Sequence, residues 1–480
     1  MIVTRAASRV LVAGLLTAGA PLPVLAQQPA AADTQARGAA EAYYEFLMAR
    51  RLESQGDRAG ALEALRRAAA ADPRSAMIRA EIAAFQLRRN RRDEAEAAAR
   101  EALALDAGNP DAHRVLGFVH AARAEGPGRN GPPDAAANVD EAISHFEQAL
   151  AGNATTSDIN LLYTLGRLYM RKGDGDKAVQ TLTRVVGLNP GSAQARLSLA
   201  QAQATAGNMA GAIQTLEEIA ADEPRVAAAL GQYLEQAGRP ADAARAYASA
   251  LEVTPMSAEI KFRRAAALFS ARQYADAADA AATAQSEHPD DLRFPRLRAR
   301  ALAESGAAAR AIEVLEPAAR ANPDDLSTQL TLADLYNSAN RAGDAERTLR
   351  QLLAIEPRNA DALNYLGYLL AERGQQLDEA IRLVRQALEI EPDNPSFLDS
   401  LGWAYFRQGN AAEAEKYLTP AAEKLPRNSV VQEHMGDVHA DRGRWADAIA
   451  SWQRALDGDG DDIDRAAIQQ KIERARTRVP

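Results

Sequence analysis

Histidine is the side chain best suited to bind metals or to move protons near neutral pH, and the chain contains six of them. They are His113, His120, His145, His288, His434 and His439. None lies in a His-Glu-x-x-His pattern, and the chain has neither a Gly-x-Ser-x-Gly motif nor a phosphate loop with its lysine. We therefore predict a non-enzymatic protein with no catalytic residue, no metal site and no cofactor.

Two further stretches match part of a ligand-binding pattern. The run Asp457-Gly-Asp-Gly-Asp-Asp462 begins like a calcium loop, but Ile468 stands at the twelfth position, where such a loop needs a glutamate. We interpret this run as a solvated acidic turn, with weak cation binding as the alternative. The segment 126–131 matches G-x-G-x-x-G, but prolines follow it and no strand precedes it. We expect a protruding loop there, in an insertion at about 125–138.

Composition excludes several classes of protein. Hydrophobic residues make up 47% of the chain and aromatic residues 5%, so the apolar content is mostly alanine and leucine, which favours helices. The formal charge of −9 argues against a general nucleic-acid binder, because phosphate binding needs a basic surface. The chain has no cysteine, which excludes disulfides, thiolate catalysis, zinc–thiolate sites and a lipidated N-terminal cysteine.

The first 26 residues have the layout of a secretory signal peptide. Arg5 and Arg9 precede an apolar run from Val10 to Ala20, and the small residue Ala26 offers a cleavage position. The apolar run is short for a membrane span. We predict export to the periplasm of a Gram-negative-type bacterium, with residues 27–41 as a flexible leader.

The positions of small residues show an internal repeat, which decides the fold class. A glycine or alanine recurs mostly every 34 residues, and in ten of twelve cases an alanine follows 12 residues later. Two antiparallel helices approach closely only where neither presents a bulky side chain, so these small residues mark helix crossings. The first small residues of the twelve units are Ala49, Ala83, Gly117, Gly166, Ala200, Gly231, Ala265, Ala299, Ala333, Gly367, Gly402 and Gly436.

A 34-residue helical hairpin with Leu-Gly, tyrosine, alanine and proline at these positions resembles the tetratricopeptide repeat family. The resemblance covers residues 42–456. It implies an all-α, right-handed α-solenoid of about twelve stacked hairpins, whose concave groove is lined by the first helices and holds peptides or partner proteins. We expect residues 457–480 to form the acidic turn and a polar capping helix.

Groove residues are expected at positions −3, +1, +4 and +5 from the small residue of a first helix. Two adjacent hairpins offer there the aromatic, amide and charged side chains that are enriched in binding hot spots. These partner-binding candidates are Asn364, Tyr368, Asp399, Trp403, Phe406 and Arg407. The alternative is that Trp403 packs against the neighbouring repeat.

A second candidate is a basic stripe on one first helix, formed by Arg293, Arg296 and Arg300. These guanidinium groups would bind acidic side chains of a partner. The alternative, which we favour, is that they are solvated or paired with acidic neighbours in the same chain.

Residues 360–456 are similar to bacterial envelope tetratricopeptide proteins, some of which are lipoprotein adaptors that bring substrates to a periplasmic carboxyl-terminal processing protease. The resemblance rests on segments 364–374, 399–409 and 433–439. We expect a scaffold or adaptor for protein or peptide partners, without nucleic acid and without a membrane span, and peripheral association with the cell envelope is left open. The alternatives are an assembly factor for envelope polysaccharide or outer-membrane export, and an enzyme or its regulatory part.

Overall fold

A computed structural model describes residues 30–125, 134–152, 157–460 and 463–479. In these ranges the chain forms 25 α-helices, one short 3-10 helix and no strand. The helices fall into two compact units, residues 1–207 and 208–480. The predicted signal peptide and the G-x-G-x-x-G segment lie outside the described residues.

The first unit is a series of helical hairpins in which consecutive helices pack against each other. Its helices are α1 (Ala30–Ser54), α2 (Arg58–Ala71), α3 (Ala76–Arg88), α4 (Arg92–Leu105), α5 (Pro110–Ala124), α6 (Ala135–Gly152), α7 (Ile159–Lys172), α8 (Gly175–Leu188) and α9 (Ala193–Thr205).

The second unit continues the same pattern and ends in a single helix. Its helices are α10 (Met209–Ala220), α11 (Ala227–Gln236), α12 (Pro240–Val253), α13 (Ala258–Ser270), α14 (Tyr274–Glu287), α15 (Arg293–Glu304), α16 (Ala308–Ala321), α17 (Leu326–Ser338), α18 (Ala342–Ile355), α19 (Ala360–Glu372), α20 (Leu377–Ile390), α21 (Pro395–Arg407), α22 (Ala411–Lys424), α23 (Ser429–Asp441), α24 (Trp445–Asp457) and α25 (Arg465–Arg476), and a 3-10 turn, Pro224–Val226, precedes α11.

The helix crossings lie at the small residues, as predicted. A Cβ atom added to Gly402 would lie 2.6 Å from Cγ of Leu418 and 3.0 Å from the carbonyl oxygen of Ala414. In the first unit, a Cβ atom on Gly166 would lie 2.6 Å from Cγ of Leu182. Because real Cβ atoms do not approach other atoms so closely, the helices of these two hairpins lie at a separation that admits only hydrogen at the glycine.

Departures from the 34-residue period have visible structural consequences. In the hairpin of α19 and α20 the spacing from Gly367 to Ala380 is 13 residues, and the additional residue is accommodated by Gln376, whose φ of 47° is left-handed. The same turn also contains Gly374, with a φ of 61°, at the position that Gly409 occupies in the next hairpin with a φ of 85°. We expected the insertion between α5 and α6 to extend to about residue 138, but α6 already begins at Ala135.

The leader prediction is wrong for most of its length. Helix α1 begins at Ala30, inside the segment 27–41 that we expected to be flexible. The cause is composition, because the segment is rich in alanine, which has the highest helix propensity.

The C-terminal cap is present, with α25 closing the second unit. Ile468 and Ile472 of α25 are fully buried in a cluster with Trp452 and Ala455 of α24. Helix α25 spans Arg465–Arg476, within the segment 457–480 in which we expected the capping helix. Within the acidic run, the carboxylate of Asp459 accepts hydrogen bonds of 2.7 and 2.8 Å from the guanidinium of Arg427, so a cation of this protein already neutralises it.

Candidate functional site

Three first helices, α19, α21 and α23, position most of the predicted binding residues. They belong to consecutive hairpins, and each packs on the next first helix along the stack. A repeat of about 34 residues brings side chains some 31–35 positions apart into contact across these helices. The site is therefore built between repeats, from side chains of neighbouring first helices.

Trp403 lies inside this contact and is not a surface residue, since only 9% of it is exposed. Its indole stacks on the imidazole of His434, with ring centroids 4.0 Å apart and planes at 11°. Its Nε1–H donates to the carboxylate of Glu372. The ring of Phe406, on the same helix, stacks on the indole with ring centroids 5.2 Å apart. The structure thus favours the alternative that Trp403 packs against the neighbouring repeat.

Asp399 is also buried, and it pairs with the same histidine. Nδ1 of His434 lies 2.9 Å from Oδ1 of Asp399, and both side chains are at most 9% exposed. Burial alone would lower the pKa of His434, but the negative charges of Asp399, Glu372 and Asp437 outweigh it and raise that pKa above its usual value. These acidic neighbours therefore favour the imidazolium form of His434, which packs against an indole face.

The remaining candidates on these helices are half-buried and form what we call the C-terminal patch, namely Tyr368, Phe406 and Arg407. Arg407 donates a 2.6 Å hydrogen bond to the carbonyl oxygen of Glu372, and its guanidinium lies 5.7 Å from the Trp403 ring centroid. The Tyr368 ring lies 6.5 Å from that of His434. The patch is thus an aromatic and guanidinium surface resting on the buried Trp403–His434–Asp399 cluster.

Asn364 lies at the edge of this arrangement. Its side-chain Oδ1 is buried and has no hydrogen-bond partner in the described part of the chain. A buried amide oxygen without a donor is costly, so Asn364 lowers the stability of this region and offers no accessible acceptor to a partner.

The basic stripe is largely neutralised by the chain itself. Arg293 binds the carboxylates of Asp291 and Glu259, each at 2.8 Å, and these contacts raise its pKa. Arg296 pairs with Asp325 at 2.7 Å. Arg300 is exposed and lies over the ring of Phe269 at 5.1 Å. The structure therefore favours pairing with acidic neighbours for two of the three arginines.

Sequence reasoning missed His434 as a member of the site. It lies 35 residues after Asp399, one position beyond the repeat, and therefore outside the four positions that we assigned to the groove. A signal was available, because a histidine one repeat after an aspartate on neighbouring first helices can form a cross-repeat pair. Glu372 occupies position +5 of its repeat, one of the four groove positions, but it was not chosen among the candidates.

No helix among the described residues combines the length and apolarity that a bilayer span requires. Among proteins of known sequence, the chain is 33% identical over 107 residues to a TPR repeat-containing protein of Pseudomonas aeruginosa. That match covers 22% of this chain and 18% of the relative, so it spans less than a fifth of the relative's length.

Solved structures with a similar arrangement include yeast Tom70, which is 14% identical with a TM-score of 0.44 and covers 91% of this chain and 96% of that chain. Naa15/Naa10 bound to HypK-THB is 16% identical with a TM-score of 0.44, covering 86% of this chain and 68% of that chain. Both TM-scores lie below 0.5, so the family assignment depends on the repeat models and not on these structures.

Two models of the tetratricopeptide repeat match the chain in repeated segments. One matches residues 46–117, 163–226, 228–291 and 267–325, and the other matches residues 135–187, 302–367, 338–401 and 369–433. Together they cover well over half of the chain, with matches in both compact units. Repeats of this kind support a protein–protein interaction scaffold. The chain belongs to the tetratricopeptide repeat family.

Proposed function

We propose that this protein is an exported, non-enzymatic scaffold that binds a segment of a partner protein at the C-terminal patch. The single observation that carries the proposal is the way Phe406 and Arg407 are held. Phe406 stacks on Trp403, which is itself held by Glu372 and His434. Arg407 donates a hydrogen bond to the carbonyl oxygen of Glu372. Side chains ordered before binding lose little conformational entropy when a partner arrives, which favours affinity.

The chemistry of the patch defines the partner segment. Tyr368 and Phe406 offer apolar ring surface, and Arg407 offers guanidinium N–H groups beyond the one that binds Glu372. A segment with an apolar side chain next to a carboxylate would satisfy both.

The periplasm is the proposed compartment because of the signal-peptide pattern in residues 1–26. The test is N-terminal sequencing of the protein recovered from a periplasmic fraction of the producing cells. A mature chain beginning at Gln27 supports the proposal. An intact Met1 in the cytosolic fraction overturns it.

The proposed role in the envelope is that of an adaptor that delivers clients to a protease of the carboxyl-terminal processing type. The resemblance of residues 360–456 to envelope adaptors supports this choice. An assembly factor for envelope polysaccharide or outer-membrane export is the second candidate, since the same resemblance is to envelope repeat proteins in general. The partners distinguish the two, because a protease with varied clients supports the adaptor and a synthase or porin supports the assembly factor.

The binding test uses a photoreactive amino acid at a single position of the full chain in the producing cells. One protein carries it at Phe406, and the control carries it at Met256, which is 66% exposed in the same compact unit. We expect the Phe406 probe to crosslink envelope proteins that the Met256 probe does not reach. Identical crosslinks from both positions, or none from Phe406, would refute binding at the patch.

A further inference from the structure

The hairpin of α5 and α6, in the first compact unit, carries a cluster of histidines outside the C-terminal patch. His120 lies on α5, and Glu141 and His145 lie on α6. Each of the three side chains offers a nitrogen or oxygen atom that lies within 4.8 Å of the others. Glu141 and His145 are four residues apart and therefore share a helix face. That spacing is visible in the sequence, and it argues against our prediction that the chain has no metal site.

The hydrogen bonds around His145 define which of its nitrogens is free. Nε2 of the neighbouring His113 lies 3.0 Å from the carbonyl oxygen of Ala107, which can only accept, so that Nε2 carries a proton. A neutral imidazole with its proton on Nε2 carries its lone pair on Nδ1, so Nδ1 of His113 is an acceptor in this tautomer. Nδ1 of His145 lies 2.9 Å away and must donate to it. The lone pair of His145 therefore lies on Nε2.

The same reasoning applies to His120 through Asn138. The side-chain Nδ2 of Asn138 donates a 3.0 Å hydrogen bond to the carbonyl oxygen of Asp134, which fixes the orientation of the amide. Its Oδ1 therefore faces Nδ1 of His120, at 3.0 Å, and accepts a hydrogen bond from it. The lone pair of neutral His120 lies on Nε2. Both histidines thus hold Nδ1–H toward a fixed acceptor and leave Nε2 unprotonated.

We propose that His120 Nε2, His145 Nε2 and one carboxylate oxygen of Glu141 bind a divalent transition-metal ion of the Zn²⁺ class. Two imidazoles and a carboxylate form a known zinc ligand set with a fourth position open to water or to a partner's side chain. The hydrogen bonds from Nδ1 to His113 and Asn138 are the outer contacts that orient histidine ligands at such sites. The site extends the function of the chain beyond a partner-binding scaffold.

Closing the site requires only a small movement. Zinc ligands at about 2.0–2.1 Å from the metal lie roughly 3.4 Å from each other, whereas Oε2 of Glu141 is 4.0 Å from Nε2 of His145. The Glu141 side chain is 61% exposed, so it can change rotamer without disturbing the core. Because the ligands come from both helices, a bound metal ion would link α5 to α6.

The test is a calorimetric titration of the untagged, chelator-treated full chain with ZnCl₂, followed by the same titration with MgCl₂. We expect one zinc ion per chain at this site, and at least tenfold weaker binding in Glu141→Gln and in His145→Gln. Asn138→Ala, which removes only an outer contact, is expected to weaken binding by about 10–100-fold. The matched control is Glu94→Gln. Glu94 is exposed and directly precedes Ala95, just as Glu141 directly precedes Ala142, and it lies in the preceding hairpin.

The outcomes separate cleanly once circular dichroism shows that each variant has the helix content of the parent chain. Zinc binding that falls in Glu141→Gln, His145→Gln and Asn138→Ala but not in Glu94→Gln supports the site. Zinc binding that is absent, that is unchanged in Glu141→Gln, or that falls equally in Glu94→Gln overturns it. Magnesium binding as tight as zinc binding would overturn the proposed class of metal.

Discussion

The imidazole of His434 lies flat against the indole of Trp403, with ring centroids 4.0 Å apart. The two residues belong to consecutive repeats, and Asp399, one helical turn before Trp403, binds the same imidazole at 2.9 Å. Trp403, which we considered as a surface hot spot, therefore packs against the buried Asp399–His434 pair. What remains for a partner is the C-terminal patch around it.

The first prediction concerns the pH dependence of stability. The folded-state pKa of His434 is raised, so the folded chain binds this proton more tightly than the unfolded chain does. Its stabilising contribution is complete below about pH 6.5 and is lost as the pH rises through the higher folded-state pKa. The measurement is urea unfolding at several pH values between 6 and 9, roughly the range that spans this histidine titration. Tryptophan fluorescence reports each unfolding transition.

Fluorescence suits this measurement because the three tryptophans, Trp403, Trp445 and Trp452, all lie in the last repeats. In His434→Gln the pH-dependent component should disappear. A variant whose unfolding midpoint falls with rising pH as steeply as that of the parent chain would show that another group is responsible.

The second prediction concerns the Asp399–His434 pair itself. In His434→Ala the carboxylate of Asp399 stays buried without its partner, and the stacking on Trp403 is lost. Breaking a buried ion pair from one side typically costs about 3–5 kcal/mol. We expect a loss of this size in the free energy of unfolding reported by tryptophan fluorescence, and a loss below about 1 kcal/mol, typical of an exposed pair, would contradict the charged, buried pair.

The third prediction tests the helix crossings with one added methyl group at two positions. Gly402→Ala places the new carbon against Leu418 and Ala414, and overpacking of this kind costs about 1–3 kcal/mol. Gly343→Ala, in α18 of the same unit, meets no atom within 4 Å. It should be neutral or stabilise by up to about 1 kcal/mol, because alanine restricts the unfolded chain. Equal effects of the two substitutions on the unfolding midpoint would show that the crossing is not close.

The fourth prediction concerns the cap. Ile472→Ala removes a fully buried side chain from the contact between α25 and Trp452, which should cost about 2–5 kcal/mol. The loss should appear as faster hydrogen exchange in α24 and α25. Arg474→Ala, an exposed position on the same helix, is the control. Exchange rates that rise equally in both variants would contradict the capping role.

The repeat itself was predictable because it depends on local rules. The sequence shows a small residue about every 34 positions and a second one 12 residues later, because the two helices of a hairpin cross closely there. It also shows turn glycines such as Gly409, because the turn needs a left-handed residue. The binding surface was less predictable, because positions −3 and +1 lie between neighbouring first helices. Whether Trp403 is exposed there depends on the residue that the next repeat supplies, and single-repeat periodicity contains no information about His434.

The histidine cluster shows a different limit. Glu141 and His145 share a helix face by spacing alone, but their relation to His120 depends on how the hairpin closes across an insertion of unusual length. A motif search along the chain finds only ligands that are close in sequence. The roles of Asn138 and His113, which orient the imidazoles, depend on hydrogen bonds that only the three-dimensional arrangement provides.

The account depends most on binding at the C-terminal patch, and one affinity measurement tests it directly. The partner crosslinked from Phe406 would be purified and its dissociation constant measured for the parent chain, for Arg407→Glu and for Arg474→Glu as the exposed control. We predict at least tenfold weaker binding in Arg407→Glu, since the reversed charge repels the partner carboxylate, and unchanged binding in Arg474→Glu. Equal affinity of the parent chain and Arg407→Glu would contradict the account.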